Sequence, residues 1–171
     1  MLENAGMNNV WLVVAMGVGA TMIMDVWALL LQQLFKIKST SYCLVGRWLL
    51  YIPRGIFFHN PIAKSVALRG ECAVGWATHY LIGLIYAIAF AALIAQSWLE
   101  QPRLAPALLF GLATVVFPFF LMQPALGMGV AASRAAQPFK ARLKSVLNHL
   151  VFGLGLYLTA LLFNLLRPMA A

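Results

Sequence analysis

The sequence predicts an all-α polytopic membrane protein, a bundle of four transmembrane helices with an interfacial helix in its first cytoplasmic loop. Three observations carry that class. Hydrophobic residues make up 63% of the chain and charged residues only 9%, where soluble domains carry about a quarter charged residues. The apolar residues come in blocks, without the alternation of half-buried soluble elements. Four blocks are long enough to cross a hydrocarbon core, which takes about 20 residues of helix.

The spans fall at about 10–35, 72–98, 104–126 and 147–166, within one membrane domain of residues 1–171. The first is read as a retained span and not a signal peptide, because nothing basic precedes it and Asp25 lies inside a stretch too long for that role. Two loops, about 36–71 and 127–146, hold most of the charge. Lys36, Lys38, Arg47, Arg54, Lys64 and Arg69 lie in the first, and Arg134, Lys140, Arg142 and Lys144 in the other. Only Arg103 and Arg167 lie elsewhere. The positive-inside rule then puts both loops in the cytoplasm and both termini outside, which for a bacterial chain means the inner membrane. Cys43 and Cys72 fall on the reducing side, so no disulfide is expected between them.

The first loop mixes aromatic and basic residues in SYCLVGRWLLYIPRGIFF. That pattern suits a short helix lying in the interface, with Arg in the headgroups. Asn60 followed by Pro61 reads as an N-cap and first turn, so the second long helix is expected to start ahead of the membrane. The second and fourth helices share a signature, HYLIGLIYA from His79 and HLVFGLGLY from His149, compatible with a duplicated two-helix unit. In the third helix Pro118 and Pro124 flank FFLMQ. Each removes a backbone donor, which implies either a kink that fits the bundle or a broken helix that lines a site.

Asp25 is the sharpest chemical signal. A carboxyl group in a spanning helix costs roughly 2.5 to 3.5 kcal/mol even on insertion scales, so it requires a partner or water. Gly17, Thr21, Asp25, Ala28 and Gln32 form one small and polar stripe at helical spacing. Gly75, His79, Gly83, Ala87 and Ala91 form a second, with Glu71 leaning to the same side. His149, Gly153, Tyr157, Ala160 and Asn164 form a third, with Asn148 beside it. Such stripes face other helices or a ligand, not lipid. At 1.5 Å per residue, Asp25 lies roughly 16 Å from Lys36 and His79 roughly 12 Å from Glu71, both near the midplane. His149 is shallower, and Gln123 lies near the loop end of its helix. Asp25, His79, His149, Gln123, Asn148 and Glu71 are thus the candidate intramembrane polar site, and Arg47, Arg54 and Arg134 the candidate headgroup or anion contacts.

Several chemistries are absent at the level of motif. There is no HExxH, CxxC, Walker loop or GxSxG, and GMGVAASR from Gly127 follows a spanning helix where a dinucleotide site needs a strand. With four acidic residues in all, no catalytic or metal constellation is evident, which weighs against an enzyme. The net charge of +8 sits between apolar blocks, so its counter-charge is anionic lipid and not nucleic acid.

GVGATMIMDVWALL, SYCLVGRW, RGECAVGWATHY, FPFFLMQPALGMGVAASR and NHLVFGLGLY together resemble a bacterial family of small membrane proteins known as a domain of unknown function, number 2938. The resemblance covers nearly the whole chain. It implies the four-helix membrane fold and brings no activity, substrate or cofactor. The residues themselves rank a binding or transport module first, with a proton-linked or polar-solute site opening to the cytoplasm. His and Asp sharing a proton would couple occupancy to pH. A b-type haem protein with His79 and His149 as axial ligands is the second reading. The binding or transport module is compatible with a homo-oligomer, and a non-catalytic accessory subunit of a larger membrane complex is the third reading.

Overall fold

Where no water reaches the backbone, each segment must satisfy its own N–H and C=O groups, so long apolar blocks become helices. The computed structural model describes residues 2–37, 39, 41–94 and 96–166, with side chains from Val10 onward. Lys38 and Arg167, counted above among the charges, lie outside the described residues. The helices are α1 (Leu2–Phe35), α2 (Tyr42–Tyr51), α3 (Glu71–Leu93), α4 (Gln96–Glu100), α5 (Leu104–Ala113), α6 (Gln123–Ala125) and α7 (Pro138–Leu166). Four stretches are long and apolar enough to cross a membrane: Val10–Phe35, Glu71–Leu93, Leu104–Ala125 and Pro138–Leu166. The chain is the all-α, four-span membrane protein that its composition predicts.

Boundaries shift where local chemistry outweighs hydropathy. The second span ends at Leu93 because Ile94 turns extended, and α4 follows separately. The fourth helix starts at Pro138, since Pro suits a first helical turn and no breaker follows it before residue 147. The expected start of the second helix at Asn60 and Pro61 is not observed. That peptide is cis, a short 3-10 turn covers Ile62–Lys64, and α3 begins only after Gly70, whose φ of +83° suits a residue without Cβ. The third span changes its helical winding: α5 ends at Ala113, and Pro118–Met122 forms a π-helical turn leading into α6. The prolines thus distort a span that continues from Leu104 to Ala125, with hydrogen bonds from Val115 and Phe117 reaching back three residues.

Along the bundle α1 packs on α3 and α7, α5 packs on α7, and α2 packs on α3. Small residues set these crossings. Gly17 meets the backbone of Leu84, Gly155 that of Ala20, and Gly111 that of His149 and Gly153, so any Cβ there would collide. Large apolar side chains point outward instead, among them Met22, Val26, Ile85, Ile88, Leu109, Phe120, Leu158 and Leu162. A lipid-facing surface of this kind buries small residues and exposes large ones.

The first loop folds onto the bundle. The α2 helix runs antiparallel to the start of α3, with Gly46 against the Glu71 carbonyl and Gly75 against the Tyr42 carbonyl. That contact brings Cys43 beside Cys72, and the two are joined in a disulfide. The expectation of two free thiols is therefore corrected. It assigned the cysteines by compartment, whereas their pairing follows from the glycine-mediated contact of two helices. Further on, His59 N–H donates to the Ala125 carbonyl at 2.9 Å and Ile62 N–H to that of Leu126 at 3.0 Å, tying the loop to the end of the third span.

Candidate functional site

Because α3 and α5 are not packed along their lengths, a cavity of about 420 Å³ remains between α2, α3, the π-helical turn and α7, backed by Thr21 and Met24 of α1. It is bridged at the α4 end by Phe90, whose ring lies 4.7 Å from Trp98 and 5.0 Å from Phe110. Ile82, Ile85, Phe117 and Leu121 both line the cavity and stand exposed on the outer surface. The mouth therefore includes the lateral face between the second and third spans. The sequence expects an opening at the loop end; the lateral face was not legible there, because depth counted along each helix does not say which helices part.

His79 and His149 both line this cavity. His79 Nε2 hydrogen-bonds Asp25 Oδ1 at 3.0 Å, and the Tyr80 hydroxyl donates to Asp25 Oδ2 at 2.9 Å. The side chains of His79 and Asp25 are 8% and 17% exposed, so the pair is largely withdrawn from the surface. Tyr42 of α2 stacks on the imidazole with centroids 4.0 Å apart and fixes the ring plane. His79 Nε2 is thus already engaged, and iron ligation through that atom would have to displace Asp25.

His149 is held differently. Its Nδ1 lies 2.7 Å from the Thr114 hydroxyl, which donates its single proton to the Gly111 carbonyl at 2.6 Å. Nδ1 must then be the donor to Thr114, and Nε2 is left with a bare lone pair. Ser145, one turn earlier on α7, and Asn148, the residue just before, also line the cavity. Gln123 is buried, 3% exposed, and donates from Nε2 to Ser145 Oγ at 3.1 Å. Asn148 Oδ1 and Gln123 Oε1 are buried without a partner.

The two helix pairs share one geometry. In each, the glycine four residues after the histidine packs on the preceding span, Gly83 against Thr21 and Gly153 against Ala107. The histidine itself bonds a polar side chain of that span, Asp25 for His79 and Thr114 for His149. The repeated HxxxG signature is where these crossings lie.

The remaining candidates separate from the cavity. Glu71 does not face Asp25; it forms a bidentate ion pair with Arg47, with both contacts at 2.8 Å, and accepts from Leu68 N–H at 2.8 Å. Arg47 also donates to the Ser65 carbonyl at 2.9 Å, and the hydrogen bond to Glu71 holds its guanidinium above the usual value. It pins α2 to α3 and is spent as a headgroup ligand. Arg54 lies 5.4 Å over the Tyr51 ring, and Arg54 and Arg134 are exposed. Residues not singled out from sequence complete the site: Tyr42, Tyr80, Thr114 and Ser145. Tyr80 adjoins His79, and Ser145 precedes His149 by four residues, a helical spacing that marks it as a neighbour.

The model of a family described as a protein of unknown function (DUF2938) matches residues 14–163. The chain belongs to this family. The matched stretch holds Asp25, His79, Thr114, Ser145, Asn148 and His149, so both histidine crossings and the cavity fall within the family domain. No curated protein and no solved structure matches the chain.

Proposed function

We propose that the protein is a membrane binding module that takes a mostly apolar molecule from the bilayer and holds that molecule's polar end between His79 and the Ser145–Asn148–His149 turn. The observation that carries this is the cavity itself: its volume of about 420 Å³ lies in the range of roughly 300 to 1,000 Å³ typical of small-molecule sites, and its lining is aromatic and aliphatic with few polar groups. The Asp25–His79 pair adds a proton-linked element, because the charge on the pair depends on a proton that a ligand contacting His79 would feel. The charge of the loops at 36–71 and 127–146 supports contact with anionic headgroups, with Arg54 and Arg134 toward them.

The test is extraction and mass spectrometry of purified protein. Wild-type protein is expected to carry an apolar small molecule that Ile82→Trp, which fills the lateral mouth, has lost while keeping its helical content. Identical extracts from the two proteins sink the reading.

A further inference from the structure

Resting on that reading, the geometry points to a ligand whose polar end is a hydroxyl group: we infer that the Ser145–Asn148–His149 turn recognises an apolar alcohol or phenol. The argument is a count of donors and acceptors on the turn. His149 Nε2 is an acceptor, since Nδ1 is committed as donor to Thr114. Asn148 Oδ1 is buried without a partner and without accessible surface, so it does not enter the count. Ser145 Oγ already accepts from Gln123, and its own proton has no acceptor among the described residues, so it is a free donor. All three residues line the same cavity, within little more than one helical turn.

A polar group without a partner is expensive to bury, so the preferred ligand satisfies His149 Nε2 and Ser145 Oγ together. An ether, ketone or carboxylate only accepts and leaves His149 bare. An ammonium only donates and leaves Ser145 unused. A hydroxyl group donates to His149 and accepts from Ser145. The apolar remainder lies along Phe152, Tyr86 and Ile82 toward the rim.

The experiment measures equilibrium binding of tritiated farnesol to protein in lipid nanodiscs, with competition by unlabelled farnesol and by its methyl ether. These two probes share one carbon chain and differ in a single donor. The alcohol is expected to compete about tenfold better than the ether, the scale of one well-made hydrogen bond. His149→Phe keeps an aromatic ring and removes the acceptor, and is expected to cut that advantage to about twofold. Ser145→Ala, a milder change, is expected to weaken alcohol binding about threefold and leave the ether unchanged. Equal competition by alcohol and ether, with both displaced in Ile82→Trp, overturns the hydroxyl inference and leaves the cavity reading standing. No saturable binding of either probe, while an apolar molecule still co-purifies, also overturns the inference. No saturable binding and no co-purifying molecule removes the cavity reading and the inference together.

Discussion

His79 and Asp25 meet across the α1–α3 crossing at 3.0 Å, with Tyr80 closing the other carboxyl oxygen at 2.9 Å. This arrangement separates proton chemistry from packing. Asn has nearly the shape of Asp and keeps an acceptor for either His79 or Tyr80, so Asp25→Asn is expected to change thermal stability by no more than about 1 kcal/mol. Asp25→Leu strands both partners and is expected to cost about 1 to 3 kcal/mol. In the proton-linked reading, Asp25→Asn also flattens the pH dependence of ligand binding. A pH profile for Asp25→Asn that overlays the wild type would return Asp25 to the scaffold.

The Cys43–Cys72 disulfide closes a loop between residues 29 positions apart and staples α2, which carries Tyr42, Val45 and Trp48 of the cavity wall. Its removal is expected to lower stability by about 2 to 4 kcal/mol, the usual range for a cross-link of this size. Thermal unfolding of Cys43→Ser/Cys72→Ser against wild type, in detergent without reductant, measures it. Coincident curves would show that the helix contact alone holds α2.

The Arg47–Glu71 pair is only 12% exposed on each side, so either charge alone is costly. Glu71→Gln is expected to destabilise by about 1 to 3 kcal/mol, because Arg47 is left half-paired. Arg47→Met combined with Glu71→Leu is expected to recover part of that loss. A double-mutant cycle on unfolding midpoints reads the coupling, and strict additivity would contradict a direct pair.

His59 lies in the loop that is tied to the end of the third span. Its Nδ1 is 2.9 Å from Ser65 Oγ, its Nε2 is buried without a partner, and burial lowers its pKa below the ordinary 6.5. A lowered folded value means that the opened loop binds the proton more readily. The loop's stability is therefore complete above about pH 6.5 and is lost as pH falls below it. Amide exchange at Ile62, corrected for intrinsic rates, is expected to speed up between about pH 8 and about pH 5 in wild type and to stay level in His59→Gln. No difference between the two proteins would count against His59 as the titrating group.

What was legible in the sequence was periodic. The spans follow from block length, and Asp25 and His79 could be set near one depth because each sits on a stripe of small residues at helical spacing. Contacts made by the first loop have no such period. Arg47 reaches Glu71 across 24 positions and Cys43 reaches Cys72 across 29, through a glycine-to-glycine approach that neither local pattern announces. Glu71 was accordingly assigned to the wrong neighbours. Thr114 was silent for another reason: threonine in a membrane helix usually bonds its own backbone, and only the crossing at Gly111 and Gly153 brings His149 onto it.

The rim of Ile82, Ile85, Phe117 and Leu121 has a thermodynamic consequence. A molecule entering there comes from lipid, so its chemical potential is set by its mole fraction in the bilayer and not by its aqueous concentration. Each added methylene enriches such a molecule in lipid roughly fourfold, about 0.8 kcal/mol, before any contact with the protein is made. Doubling the lipid at fixed total ligand then halves occupancy at low saturation. For this site an affinity has meaning as a mole-fraction constant, and two laboratories using different lipid-to-protein ratios would measure different apparent values from identical protein.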